Sequence, residues 1–236
     1  MEPGTPPEPS LHRPPPPGLL RRLYRRLAFV QPLYRRLRRW ASPWLLRRRI
    51  RQVLRRGEPC RLVLGAGGKH AAGWIATEVY SLNLLRPADW RRLLPEASVA
   101  AMVAEHVWEH LTRDDGVRAA VLCHRYLAPG GHLRVAVPDG GFPSDDYREY
   151  VRPGGSGPSA WDHKELYTAA TLPAVFEEAG FHVELLEYHD AVGIFHAHAW
   201  DADGGYVERS ERFYRGSRRF DGLPYRSLIL DARKPG

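Results

Sequence analysis

The sequence predicts an α/β domain built on a doubly wound, mainly parallel sheet. Three observations predict it. Short apolar runs recur along residues 58–236 and stop at Gly, Pro or charged residues. Stretches with helical spacing separate several of these runs. A glycine-rich turn, Leu64-Gly65-Ala66-Gly67-Gly68, follows the first run directly. Alternating strand and helix signals with short apolar strands are the pattern of βαβ units.

The elements follow in order. Residues 1–18 hold eight prolines. They cannot bury apolar area and are expected to be disordered or polyproline-like. Residues 19–57 read as basic amphipathic helices. Leu19, Leu20, Leu23, Tyr24 and Leu27 make one stripe, and Leu33, Tyr34, Leu37 and Trp40 make another. Pro32 separates them because it lacks an N–H and clashes with the preceding turn. Ser42-Pro43 looks like the start of a third helix and Gly57 its stop. Strands are then expected at 61–64, 74–77, 99–104, 133–137, 181–187 and 227–232. Helices are expected up to Tyr126 and over 172–179. No helix of ordinary length fits between the first two strands. The last two strands have no crossover helix between them, so they can pair antiparallel.

Charge divides the chain at the same place. Residues 1–57 hold 15 Arg against Glu2 and Glu8, a net +13. The rest of the chain therefore carries −5 of the total +8. A basic arm precedes a mildly acidic body. The arm is read as docking on an anionic membrane surface through residues 19–56, as a nucleic-acid contact, or as a helical cap with a solvated Arg face. Only Lys69, Lys164 and Lys234 represent lysine, so the preference for Arg runs through the whole chain and carries no message about phosphate.

Several classes are excluded. Cys60 and Cys123 are too few for a disulfide framework or a four-thiolate zinc site. No run approaches the ~18–20 apolar residues of a membrane span, and no apolar signal segment opens the chain. The expected location is cytoplasmic, with peripheral membrane contact through the arm. A P-loop is missing. From Gly65 to Glu78 the chain advances 13 positions. A dinucleotide fold expects ~20 residues between its glycine motif and its acidic residue.

Four motifs carry chemistry. The glycine loop lets a ligand approach the backbone after the first strand. Glu78, after the second strand, can accept hydrogen bonds from both hydroxyls of a ribose. Glu105-His106-Val107-Trp108-Glu109-His110-Leu111 follows the third strand, and its four-residue spacing would put two His and two Glu on one helix face. His106-x-x-Glu109-His110 also matches a zinc hydrolase pattern, although no third ligand stands out. The fourth motif runs from Leu127-Ala128-Pro129-Gly130-Gly131 to Val137-Pro138-Asp139, a tight turn leading into a strand.

Taken in order, these motifs resemble class I S-adenosylmethionine-dependent methyltransferases, and more narrowly a compact bacterial group of them. The resemblance covers about residues 58–236. It implies a Rossmann-like seven-stranded sheet with an antiparallel last strand, and S-adenosylmethionine as cofactor. Gly65, Ala66, Gly67 and Gly68 would hold the methionine part and Glu78 the ribose. Asp89 would lie near the adenine, and Glu105 would line the cofactor. His106 is the first candidate for the base that takes the acceptor's proton, followed by His110 and Glu105. His196, His198 and Trp200, between the last two strands, would line the acceptor. The reaction needs no metal. The acceptor is expected to be a small molecule, a glycan or a lipid-linked compound. Two alternatives stand beside this reading. Ala66 replaces a Cys, and Ala100 an acidic residue, common in the group, which leaves room for a non-catalytic methyltransferase-like binding protein. The other is the zinc hydrolase using His106, Glu109 and His110.

Overall fold

A computed structural model of the protein describes residues 42–68, 72–216 and 219–236. Residues 1–41, with the proline-rich segment and the first two expected basic helices, lie outside the described residues.

The unit that holds the sheet takes in residues from Ser42 onward. The reason is burial. Helix α1 (42–55) places Leu46 and Ile50 in the main core beside Leu62 and Leu64. Gly57 ends it at φ +68°, a left-handed conformation that costs glycine nothing. The outer side of α1 leaves Trp44 and Leu45 exposed, with the Arg48 guanidinium 5.8 Å from the Trp44 ring.

Seven strands form one sheet. They are β1 (Cys60–Leu64), β2 (Ile75–Ala76), β3 (Val99–Glu105), β4 (Leu127–Pro138), β5 (His182–His189), β6 (Phe195–Ala197) and β7 (Ser227–Arg233). Their spatial order is β2-β1-β3-β4-β7-β5-β6. The first four are parallel. β7 lies antiparallel between β4 and β5, as expected of the last strand. β6 adds an antiparallel edge that the sequence did not reveal. No helix occurs between β1 and β2 among the described residues, in agreement with the short spacing.

Helices α2 (Pro87–Leu93), α3 (Arg113–Tyr126) and α5 (Thr171–Glu178) pack into the main core, opposite Leu62, Leu64, Met102, Val135 and Leu230. Thr112 caps α3, its side-chain oxygen accepting from Asp115 N–H. Helix α4 (Asp145–Val151) joins a separate aromatic cluster with Phe142, Tyr147 and Phe220. Alternate residues of the strands point to the other face, where Trp74, Ala101, Val103, Ala136, Leu186 and Ile229 meet Val207 and Trp200. That face is covered by the segment 198–211, which lacks helices longer than one turn. No described helix is long and apolar enough to cross a membrane.

Candidate functional site

The strand order reverses at β1. Its chain neighbour β2 lies on one side and β3 on the other. A crevice opens outside the carboxyl ends at such a reversal. Two segments meet there: the glycine loop leaving β1, and the Glu105–Leu111 segment leaving β3.

Gly65, Gly67 and Gly68 all have positive φ, at +58°, +57° and +87°. They differ in what surrounds them. A Cβ on Gly65 would stand 2.8 Å from Val107 Cγ2, so the loop and the β3 exit touch here. A Cβ on Gly67 or Gly68 would meet nothing within 4 Å among the described residues, which form an open backbone cradle. Gly68 N–H donates to Glu78 Oε1 at 3.1 Å. Ala66 N–H bonds the Thr77 carbonyl at 2.9 Å, fixing the loop to the end of β2. The sequence-predicted loop and acidic residue are therefore adjacent.

Asp89 is tied up within its own segment. It lies in the first turn of α2, buried, and its carboxylate accepts from Asn83 N–H at 3.1 Å and from Arg92 at 3.2 Å. Both bonds shape the 83–92 segment itself.

The Glu105–Leu111 segment does not form the helix face that its spacing suggested. Its only helical part is a 3-10 turn, Trp108–His110, so its polar side chains diverge. The Glu105 carboxylate accepts from the backbone N–H groups of Arg209 (2.9 Å) and Glu208 (3.3 Å). His106 sits at φ +58°, an uncommon conformation for a residue with a side chain. Its N–H continues the ladder to the Ala136 carbonyl at 2.8 Å. Its Nε2 lies 3.2 Å from Ser227 Oγ, at the start of β7. Its Nδ1 stands 2.9 Å from Glu109 Oε1, out of line for a ring N–H donor, and neither oxygen of this buried carboxylate has a hydrogen-bond partner among the described residues. His110 turns away from His106, toward Asp162 and His163.

Tyr225 completes the surroundings of His106, with ring centroids 5.8 Å apart. Burial pushes its phenol well above the ordinary range, and the charges of Glu109 and Glu105 raise it further. Tyr225 and Ser227 were not singled out from the sequence. They precede and open β7 and reach the β3 exit only because β7 inserts beside β4. No local pattern signals that placement.

His196 and His198 lie apart from this group. They occupy the edge strand β6 and the residue just past it, four strand positions from β3, and both stack on Tyr188. His196 Nε2 is 2.8 Å from Asp190, a bond that holds the Asp190 carboxyl below its usual range. Trp200 lies on the second face of the sheet, under the Arg134 guanidinium and bonded to Glu187 at 2.9 Å. The structure does not bring these three side chains to the crevice. A cleft of about 510 Å³ opens instead between β4 and the β5–β6 turn, lined by Gly140, Arg148, Thr168, His189 and Asp190 among others. In its wall, Asp139 Oδ2 accepts from both the backbone N–H and the Nδ1 of buried His189, each at 2.8 Å. Both cysteines are free and buried, and burial pushes the Cys60 thiol up to about 11.

No family model and no curated protein matches the chain. Solved structures do. A SAM-dependent methyltransferase from Archaeoglobus fulgidus is 14% identical, over 85% of this chain and 99% of its own, at a TM-score of 0.46. One from Thermotoga maritima is 14% identical, over 87% and 98%, at 0.45. One from Mesorhizobium loti is 15% identical, over 78% and 96%, at 0.40. At such identities and TM-scores, no residue of this chain takes its role from theirs.

Proposed function

We propose that the chain is an S-adenosylmethionine-dependent methyltransferase acting on a small molecule, a glycan or a lipid-linked acceptor. One observation carries this reading. A glycine cradle and a carboxylate, joined by the Gly68–Glu78 hydrogen bond, stand at the carboxyl ends of adjacent parallel strands beside the switch point. The residues present suit the cofactor. Gly67 and Gly68 leave open the space a Cβ would fill, and Glu78 offers a half-buried carboxylate for a pair of ribose hydroxyls.

The bound cofactor supplies an activated methyl group, and methyl transfer is an in-line substitution. What remains for the chain is to orient an acceptor and accept its proton. His106 is placed for that work at the β3 exit. Its left-handed backbone directs the ring between Ser227 and Glu109. Tyr225 limits the access of water on one side.

Isothermal titration of the wild-type chain with S-adenosylmethionine tests the reading. Saturable binding is expected, and Glu78→Ala should weaken it by about tenfold or more, roughly the value of a charge-assisted hydrogen bond. Equal affinity in the two proteins, or no binding by the folded wild type, would overturn it.

A further inference from the structure

Behind His106 lies a second constellation that methyl transfer does not use. We propose that Glu109, His110 and His163 bind one divalent transition-metal ion of the zinc type. One ligand atom from each residue lies within 4.8 Å of the other two.

The backbone builds this arrangement. Lys164 N–H and Glu165 N–H both donate to the Glu109 carbonyl, at 2.7 and 3.3 Å. The loop following a one-turn helix, Ala160–Asp162, is thereby fastened to the β3–α3 connection. His163, distant in sequence, is set against Glu109 and His110 before any side chain is considered.

The side chains then fit a cation. His163 Nδ1 lies 2.6 Å from the Val151 carbonyl. A carbonyl only accepts, so Nδ1 carries the hydrogen and Nε2 presents a lone pair. Metal-binding histidines are oriented by the same kind of bond. Glu109 is 1% exposed, and neither of its oxygens is hydrogen-bonded among the described residues. A buried carboxylate without hydrogen bonds is strongly unfavourable, and a cation removes the deficit. His110 Nδ1 is likewise buried and without a hydrogen bond, and its ring meets His163 edge-on at 4.9 Å. Asp162 Oδ2 stands 3.3 Å from that nitrogen, within reach as a fourth donor.

Donor chemistry selects the ion. Two imidazole nitrogens and a carboxylate suit zinc and its neighbours, whereas calcium and magnesium prefer all-oxygen sets. Donors around tetrahedral zinc stand roughly 3.3 Å apart given its bond lengths, so small side-chain rotations close the site. The set differs from the H-x-x-E-H reading of the sequence. His106 stands outside the group of three, and the third ligand comes from another loop. The ion would brace the two loops behind His106. This inference does not depend on the methyl-transfer reading.

The test uses the untagged full chain. After purification without chelator, elemental analysis should find one equivalent of metal per chain. Chelator-treated protein should take up one equivalent of Co2+, with visible absorption bands, and Zn2+ should raise its melting temperature. His163→Ala and Glu109→Gln should each lose the equivalent, while His106→Ala keeps it. A folded wild-type chain that binds neither Co2+ nor Zn2+ overturns the proposal, as does full metal content in His163→Ala. If the variants do not fold, Co2+ titration of the wild type decides alone. Separate titration with S-adenosylmethionine shows whether a failure belongs to this site or to the cofactor reading.

Discussion

Asp231 and Glu109 are buried to the same degree, each 1% exposed, yet they are treated in opposite ways. Asp231 lies on the second face of the sheet, directly across the β4–β7 ladder from Arg134. It accepts from Arg134 Nε at 2.8 Å and from a second Arg134 nitrogen at 3.0 Å, and Arg233 adds a bond at 3.2 Å. Arg134 Nη1 donates to the Asp201 and Gly205 carbonyls, both at 2.7 Å. Every polar group of that cluster is engaged, and the bonds fasten the 198–211 segment to the sheet. Glu187 and Glu105 do the same further along, accepting from Glu211 N–H and from Glu208 and Arg209 N–H. Glu109, at the strand ends, accepts no hydrogen bond among the described residues and has only the His106 ring beside it, 2.9 Å away. The contrast separates polar burial that closes a fold from polar burial that is left open for a ligand.

The largest expected effect is on the closed side. Asp231→Asn leaves Arg134 buried with its partner's charge removed, and about 3–5 kcal/mol of stability should be lost in urea denaturation. A loss below 1 kcal/mol would mean that the pair does not secure the segment. Glu109→Gln is the matching change on the open side. In chelator-treated protein it should shift stability by less than about 1 kcal/mol, or raise it, because an unpaired buried charge is removed. A loss as large as that of Asp231→Asn would erase the contrast and make the His106 contact a true ion pair.

The smallest effect concerns Glu187, which burial holds above the usual carboxylate range despite bonds from Glu211 N–H and Trp200. A raised folded value means that the folded state holds its proton to higher pH than the unfolded chain. Stability is then fully present below the unfolded value near ~4.3 and falls as pH rises through the folded value. Glu187→Gln should flatten that part of the stability–pH curve. An unchanged slope in melts across mildly acidic pH would remove Glu187 from the closed set.

The crevice was legible in the sequence because its parts are local. A glycine turn must follow a strand, and Glu78 sits one short strand later. The 13-position spacing also agrees with a β1–β2 connection that holds no helix among the described residues. Strands β1, β3, β5 and β7 fall within two residues of their expected bounds, and in β1, β3 and β7 short apolar runs mark strands that are largely buried. Helix α2 was missed although Pro87 occupies its first turn, a start signal that the nearby arginines obscured. Helix α4, capped by Ser144, was missed because seven mostly polar residues carry no apolar stripe. The second face was out of reach for a different reason. The segment 198–211 is held by bonds from carboxylates on other strands, and such pairings leave no periodic trace. The same holds for His163, which joins Glu109 through backbone bonds between distant loops.

The insertion of β7 sets the order in which the molecule can be completed. Strands β1 to β4 can pair as they leave the ribosome, because each finds its neighbour already made. β5 and β6 then emerge and pair with each other, but with none of the first four strands. Until residues 227–233 arrive, the nascent chain presents two bare edges, one on β4 and one on β5, each a template for mispairing. The strand made last is the keystone between them. A chain cut short before it would be two unfinished sheets, open to chaperones and to aggregation.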